Sequence, residues 1–243
     1  TMPTITAMIP LAIFFGLAAA IDNGKGLTPP MGWRSWNLYG DNVSQDLLES
    51  IMDAMVVRKR LVNGVPTSLC DLGYCDVGLD DAWQECGSYG KDKYTYHEET
   101  GAPVVNTTRF PNMSGMVEHA HNLNLTAGFY YNNCICQDHC GTHVSSNETV
   151  TKCYEGDVYA FRSWGFDSVK LDACGDQYDL DVWADLFNQT GEAVMIENCH
   201  WGDTKPTKEW CPFNIYRTSV DVRAQYGSIL YNLGSVQEYS EKN

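Results

Sequence analysis

The sequence predicts an α/β fold in which helices wrap a parallel sheet. Two observations predict it: short apolar runs alternate with amphipathic stretches, and polar side chains gather at the C-terminal ends of the apolar runs. The composition, with 44% hydrophobic and 19% charged residues, is that of a globular chain and excludes a fibrous or wholly disordered protein. No linker or composition break interrupts residues 22–243, so we expect a single domain there.

The first strand–helix unit lies at the start of this domain. Residues 31–36 form the first strand candidate. Residues 45–60 carry apolar side chains at helical spacing, and Ser44 before them is a favourable N-cap. Residues 75–83 then form a second strand candidate, which ends in two adjacent acids and a tryptophan.

Further units repeat this order along the chain. Amphipathic stretches predict helices, and the short apolar runs after them predict strands. Together with the two strands above, the candidates add up to six strands. The predicted helices are 113–123, 158–164 and 182–189, and the predicted strands are 126–131, 168–172, 193–197 and 214–219.

Polar and aromatic side chains mark the C-terminal end of each predicted strand. In a (β/α)8 TIM barrel these ends converge on one face, where the active site lies. Six strands do not close such a barrel, which takes about 250 residues. The pattern predicts either a barrel truncated after about six strand–helix units or a different α/β architecture. The strand-end residues are Trp36, Asp80, Asp81, Tyr130, Asn132, Asp172, Asn198 and Asp221.

Three features predict the secretory pathway, with a secreted or a lysosomal or vacuolar destination. Residues 8–20 form a short apolar run that ends in three alanines, so we predict that residues 1–21 are a signal peptide whose start is incomplete. The chain also has ten cysteines, an even number that favours disulfides in an oxidising compartment. The third feature is a set of Asn-x-Ser/Thr glycosylation sequons, at Asn42, Asn106, Asn112, Asn124, Asn147 and Asn188.

A cluster of cysteines and histidines between residues 134 and 143 has a second interpretation. Cys134, Cys136, His139, Cys140 and His143 superficially resemble a zinc site in their spacing. The cluster lacks the paired Cys-x2-Cys spacing, and thiols in the secretory route tend to oxidise. Disulfides are therefore the favoured interpretation over a metal site.

Composition and motifs argue against several kinds of partner and cofactor. The 16 basic residues stand against 31 acidic ones, and a net charge of −15 repels a phosphate backbone, so we expect no nucleic-acid partner. The apolar leader is too short to span a bilayer, and we expect no membrane partner. No P-loop, dinucleotide-binding glycine motif or His-Glu-x-x-His pair occurs, so we expect no cofactor and no metal. Several aspartates and an aromatic content of 12% remain, a set that suits glycoside hydrolysis.

Six short motifs follow one another between about residue 27 and about residue 230. They are PMGWRSWN at 30–37, GLDDAWQ at 78–84, RFPNM at 109–113, TAGFY at 126–130, KLDACG at 170–175 and RTSVD at 217–221. In this order they resemble the strand-end motifs of the α-galactosidases (melibiases) of glycoside hydrolase family 27. The resemblance implies a (β/α)8 barrel that lacks its last two units and the family's C-terminal β-sandwich, as in a fragment. It also implies a retaining hydrolase that releases terminal α-linked galactose from oligosaccharides or glycoconjugates.

The resemblance also implies roles for single residues. Asp172 matches the family's nucleophile, and Asp221 matches its acid/base. Lys170 lies on the same side of its strand as Asp172, where its charge is expected to keep that carboxylate ionised. The two adjacent acids match the pair that binds the 4- and 6-hydroxyls, and two aromatic residues match ring contacts. The substrate-binding residues implied in this way are Trp36, Asp80, Asp81, Tyr130, Lys170, His200 and Arg217.

The loop after the fifth strand sets specificity for the sugar's 2-substituent in this family. His200 stands there; it can bond a 2-hydroxyl and is too bulky to admit an acetamido group easily, so galactose is favoured. The alternatives are an α-N-acetylgalactosaminidase or another pyranosidase of the same family, and a non-catalytic sugar-binding fragment. The presence of both Asp172 and Asp221 argues against a pure binder.

The resemblance further suggests two disulfides, although the full pairing stays open. Cys140 or a neighbour is expected to pair with Cys174 beside the nucleophile, and Cys199 is expected to pair with Cys211. The oligomeric state is open as well, with a homodimer among the possibilities.

Overall fold

A computed structural model describes residues 21–90, 92–93, 95–132, 134–136, 139–140 and 147–239. The predicted signal peptide, apart from Ile21, and His143 lie outside the described residues. Within these ranges, no helix is long and apolar enough to cross a membrane. The elements are β1 (Gly32–Arg34), α1 (Trp36–Tyr39), α2 (Gln45–Val56), β2 (Arg60–Val62), β3 (Val65–Thr67), β4 (Asp76–Gly78), α3 (Met113–Asn122), β5 (Thr126–Tyr131), α4 (Asn147–Trp164), β6 (Ser168–Asp172), α5 (Leu180–Gln189), β7 (Met195–Cys199), β8 (Ile215–Tyr216) and α6 (Tyr226–Ser235).

The main sheet has six strands, all parallel, in the order β1, β4, β5, β6, β7 and β8. Each of them coincides with or lies close to one of the six predicted strands, so that prediction is confirmed. The sheet corresponds to a (β/α)8 barrel truncated after its sixth strand. The strand predicted over 75–83 is shorter than expected, since β4 ends at Gly78; further along, Ala82 adopts a φ of 80°.

Side-chain caps determine where the helices begin. The Ser44 hydroxyl accepts a backbone N–H from the first turn of α2, as predicted. Asn112 and Asp179 cap α3 and α5 in the same way. Helix α4 is longer than the predicted 158–164, since it begins at Asn147.

A hairpin that the sequence interpretation missed follows α2. The helix ends at Val56, before its predicted end at residue 60, because residues 60–62 pair as β2 with the antiparallel strand β3. Asn63 and Gly64 form the turn, with φ values of 52° and 81°. Two-residue hairpin turns favour this left-handed region, and Asn-Gly is the sequence typical of them.

The two faces of the main sheet carry different side chains. On β6, Val169 and Leu171 belong to the hydrophobic core, which the sheet shares with α2–α5. Lys170 and Asp172 alternate with them and project from the opposite side, here called the inner face. Because all six strands are parallel, the polar residues at their C-terminal ends meet on one side of the molecule.

Four disulfides join the described residues, which confirms the disulfide interpretation of the cysteine count. Cys174 was expected to pair with Cys140 or a neighbour, and it pairs with Cys134 of the same cluster. Cys140 pairs with Cys153, and Cys136 pairs with Cys86. The three cysteines of the zinc-like cluster are therefore all oxidised and have no thiolate to offer a metal. The fourth disulfide joins Cys70 to Cys75.

The predicted disulfide between Cys199 and Cys211 is wrong, because both residues are free thiols. The Cys199 sulfur, at the buried end of β7, lies 3.1 Å from the Arg217 Nη1 atom. The Cys211 sulfur instead donates to the Phe213 carbonyl oxygen at 3.3 Å. Each thiol is thus directed to a different partner.

Candidate active site

A cavity of about 100 Å³ lies at the C-terminal ends of the strands. It brings together seven of the nine predicted site residues, which approach it from the ends of five strands and from the segments that follow them. Cys134 and Trp201 complete its wall. The seven predicted residues in the lining are Trp36, Asp80, Asp81, Tyr130, Lys170, Asp172 and Asp221.

Asp172, the last residue of β6, is held by hydrogen bonds to both carboxylate oxygens. The Tyr130 hydroxyl donates to its Oδ2 at 3.0 Å, and the Ala173 backbone N–H donates to its Oδ1 at 2.9 Å. The Lys170 ammonium lies 4.0 Å from Oδ2. From below, the Asn132 side chain donates to the Asp172 carbonyl oxygen at 2.8 Å. Both the backbone and the carboxylate of this residue are therefore fixed before any substrate binds.

Opposing effects set the pKa of Asp172. Burial raises this pKa above its ordinary value, and the Lys170 charge, the Ala173 N–H and the Tyr130 hydroxyl each lower it. Lysine therefore acts in the direction that the sequence predicts, but desolvation is the largest effect and the net direction is upward. Burial also holds the pKa of Tyr130 well above its usual value, so its hydroxyl remains a donor.

Asp80 lies beyond the end of β4 and is almost completely buried. Its Oδ1 accepts the Asp81 backbone N–H at 2.9 Å, and its own N–H donates to the Ser35 hydroxyl at 3.0 Å. Its Oδ2 accepts a hydrogen bond from the Lys170 ammonium at 2.9 Å. Lys170 is thus shared between Asp80, which it hydrogen-bonds, and Asp172.

Asp81 organises the loop that follows β5. Its Oδ2 accepts backbone N–H groups of Cys134 and Ile135, each at 2.9 Å, and its Oδ1 accepts that of Ala82 at 2.8 Å. Burial raises the pKa of Asp81, and these donors oppose the rise. The Cys134–Cys174 disulfide ties the same loop to the segment after Asp172, so the two sides of the cavity are covalently joined.

Asp221 differs from the other acids in its exposure. Its side chain is 56% exposed, and its Oδ1 lies 2.9 Å from the Arg217 Nη1 atom. Arg217 also contacts the Cys199 sulfur and donates from Nε to the Ser219 carbonyl oxygen at 3.2 Å. Arg217 lines a larger cavity of about 420 Å³ that adjoins the first and shares Asp221 with it.

His200 is buried but does not line either of these cavities. Its Nδ1 bonds the Thr204 hydroxyl at 2.8 Å, and its ring stacks on Tyr178 with centroids 4.2 Å apart. Burial lowers the pKa of this histidine. The next residue, Trp201, adopts a φ of 48° and presents its side chain to the smaller cavity instead.

Three residues around the site, Arg34, Ser35 and Glu197, were not singled out from the sequence, whereas Asn132 belongs to the predicted strand-end set. Ser35 and Asn132 position Asp80 and Asp172 through the bonds given above, and Arg34 and Glu197 form an ion pair at 2.9 Å on the inner face. Arg34 lies two residues before Trp36, and Glu197 lies two residues before Cys199. Strand alternation alone could have placed both on the inner face.

One group of possible metal-ligand atoms occurs among the described residues. Ligand atoms of Cys134, Asp172 and Cys174 lie within 4.8 Å of one another. The two sulfurs are joined to each other in a disulfide, so they are not thiolates and this group does not fit a metal.

Known proteins have sequences similar to that of this chain. The chain is 30% identical over 240 residues to a Dictyostelium discoideum protein named "Probable alpha-galactosidase", an alignment that covers 96% of this chain and 56% of that protein. It is 29% identical over 220 residues to an alpha-galactosidase of Oryza sativa subsp. japonica, covering 86% of this chain and 46% of the relative. The chain thus spans about half the length of the curated relatives it matches.

Solved structures and a family-wide comparison agree with these relatives. The fold resembles that of alpha-galactosidase I from Mortierella vinacea with a TM-score of 0.60 and 28% identity, covering 84% of this chain and 48% of that one. The alpha-galactosidase of Saccharomyces cerevisiae gives a TM-score of 0.63 at 26% identity, covering 84% and 42%. Residues 28–241 match the family described as alpha galactosidase A. The chain therefore belongs to this alpha-galactosidase family, glycoside hydrolase family 27.

Proposed function

We propose that the protein is a retaining glycoside hydrolase that releases terminal α-linked galactose by double displacement. One observation carries the proposal: Asp172 and Asp221 line the same small cavity, together with acids and aromatic residues suited to a sugar. The names of its relatives support galactose as the sugar. We further propose that residues 22–243 form part of the catalytic barrel of this enzyme.

In the first step, an Asp172 oxygen attacks the anomeric carbon while the bond to the leaving oxygen breaks. Asp221 gives its proton to that oxygen, so the aglycone leaves as a neutral alcohol. In the second step, Asp221 takes a proton from water, whose oxygen bonds to the anomeric carbon and releases Asp172. The hydrogen bonds from Tyr130 and Ala173 orient the attacking carboxylate throughout.

Substrate binding is proposed to use the remaining cavity residues. Asp80, Asp81 and Lys170 are charged groups that bind sugar hydroxyls strongly. Trp36 and Trp201 offer aromatic surface for the apolar face of the ring. Because His200 is held against Tyr178, we assign recognition at the 2-position to Trp201 and Arg217 rather than to His200.

The proposal includes a place in the secretory pathway. Four disulfides suit an oxidising compartment, and they support a secreted or a lysosomal or vacuolar destination. The signal peptide proposed for residues 1–21 belongs to the same interpretation. The proposed partner is an α-galactoside saccharide.

The test compares hydrolysis of an aryl α-galactoside with that of the matching aryl α-N-acetylgalactosaminide. We expect preference for the galactoside, release of the α-anomer first as seen by NMR, and loss of activity in Asp172→Asn. Asp185→Asn, on the exposed side of α5, is the matched control and should keep full activity. Activity that survives in Asp172→Asn contradicts the mechanism, and preference for the acetamido sugar overturns the substrate.

A second variant separates the roles of the two acids. Asp221→Asn should hydrolyse an unactivated saccharide far more slowly than an aryl galactoside with an acidic phenol, because that phenol leaves without protonation. Equal losses on both substrates would contradict the assignment of Asp221 as the acid.

A further inference from the structure

Five charged side chains of alternating sign form a row along the inner face. The row begins at Glu197, whose Oε2 lies 2.9 Å from the Arg34 Nη2 atom. The Arg34 Nη1 atom lies 3.8 Å from the Asp80 Oδ2 atom, which in turn lies 2.9 Å from the Lys170 ammonium. The Lys170 ammonium lies 4.0 Å from the Asp172 Oδ2 atom, and Asp172 is the last member of the row. We call these five residues the charge row.

Strand geometry explains how the row forms. Arg34 is on β1 and Glu197 is on β7, so their contact crosses the space enclosed by the curved sheet. Gly78, paired with Arg34 on the neighbouring strand, leaves room for the guanidinium: a Cβ at this position would lie 3.1 Å from the Arg34 Cζ atom. The guanidinium therefore lies against Gly78, in space that a larger side chain at this position would reach.

The row is buried at one end and open at the other. Asp80, Lys170 and Asp172 expose 10% of their side chains or less, whereas Arg34 and Glu197 expose 30% and 21%. The open end lines the cavity of about 420 Å³. The Arg34 Nη1 atom is buried and has no hydrogen-bond partner among the described residues. It faces Asp80 at the distance of an ion pair rather than that of a hydrogen bond.

We propose that Arg34 and Glu197 are positioning residues for the hydrolysis proposed above, on which this inference rests. Arg34 acts through Asp80: it shares the negative charge of Asp80 with Lys170, so that the ammonium remains available to Asp172. Glu197 acts through Arg34, because the ion pair holds the guanidinium back from Asp80. Together the two residues adjust how strongly the site stabilises the ionised Asp172.

Other charged and titratable groups also face this part of the site. Those beside Asp80 and Asp172 come from β4, β5, β7 and the segment after β8, and none of them changes in the variants below. A shift can therefore be assigned to the altered member of the row. These groups are Asp81, Tyr130, Cys199, Arg217 and Asp221.

The test measures the pH dependence of kcat/KM for Arg34→Met and Glu197→Gln. Removing the positive charge should raise the pKa of Asp172 and move the acid limb to higher pH by roughly 0.5–1 unit. Removing the negative charge of Glu197 should move the acid limb to lower pH. A purely structural role predicts losses in both variants without shifts of opposite sign.

Two further variants act as controls within the row. Arg34→Lys should restore most of the wild-type profile, and the double variant Arg34→Met/Glu197→Gln should return the acid limb close to that of the wild type. Arg58→Met removes an exposed arginine paired with Asp71 near the hairpin, and it should leave the limb unmoved. Circular dichroism establishes that each variant is folded.

A direct titration separates this inference from the proposed function. The Asp172 carboxyl carbon is followed by NMR in protein labelled with ¹³C at aspartate, assigned by comparison with Asp172→Asn. Opposite shifts of its titration in Arg34→Met and Glu197→Gln support the charge row even if the wild type hydrolyses neither aryl glycoside. Shifts of the same sign, or no shift in either variant, overturn it whatever the activity.

Discussion

Tyr130→Phe tests whether a single hydroxyl sets the working range of the site. The variant removes the donor that lies 3.0 Å from the Asp172 Oδ2 atom and leaves the ring in place. A hydrogen bond to a charged group contributes about 1.5–3 kcal/mol. Since one pKa unit corresponds to about 1.4 kcal/mol, the pKa of Asp172 should rise by about 1–2 units.

The sign follows from which form the hydroxyl stabilises. It donates to the carboxylate, so its loss favours the protonated acid, which cannot attack the anomeric carbon. Burial already raises the pKa of Asp172, and the variant adds to that rise. The acid limb of the proposed galactosidase activity should therefore move to higher pH by about 1–2 units.

The assay is the pH profile of kcat/KM for an aryl α-galactoside, which reports the free enzyme, with Tyr159→Phe on the exposed face of α4 as the matched control. On the acid side of the profile, Tyr130→Phe should be slower by about ten- to a hundredfold, and this loss should shrink as the pH rises. An acid limb that stays in place, or a loss of equal size at every pH, would refute the role given to the hydroxyl.

Three further outcomes follow from the same geometry. Replacing Cys134 and Cys174 by alanine should lower the free energy of unfolding by about 4 kcal/mol, because the disulfide closes a loop of 40 residues; denaturant unfolding checks this, and a loss below about 1 kcal/mol would contradict the loop estimate. Asp172→Asn should raise Tm at pH 7, and this gain should vanish in acid. Because the pKa of Asp172 is higher in the folded than in the unfolded protein, the wild type loses stability as the pH rises through the folded pKa, and asparagine removes this loss. A Tm that falls equally at both pH values would contradict this reasoning. Trp201→Ala should raise KM for the galactoside without shifting the acid limb, since its side chain lines the cavity and carries no charge. An unchanged KM would instead favour His200 as the residue that recognises the sugar's 2-position.

Alternation and turn chemistry account for the parts of the fold that the sequence predicts well. The strand at 126–131 agrees with β5, and the cap at Ser44 is the observed one, because both depend on neighbours in the chain. The hairpin was missed because the predicted helix was extended to residue 60, although the apolar stripe stops at Val57 and the next three residues are basic. The Asn63-Gly64 pair that identifies the turn was nevertheless present in the sequence.

The site was predictable where strands place residues and less so where loops do. Lys170 and Asp172 follow from the period of a strand, and both line the cavity. The orientation of the His200 ring depends on Thr204, four residues further along the chain, and on Tyr178, which lies just before α5. The contact of Cys199 with Arg217 likewise joins residues that no spacing rule connects.

The contact between Arg34 and Glu197 also bears on how the molecule is assembled during synthesis. The two residues are 163 positions apart, so the contact can form only after β7 has left the ribosome, long after β1. At about 5–20 residues per second, that interval is on the order of ten seconds or more. Contacts of such long range form late because the chain must first lose the entropy of a large loop. The inner face is therefore expected to be completed late in synthesis, only after β7 has been made, and β1 remains without this partner until then.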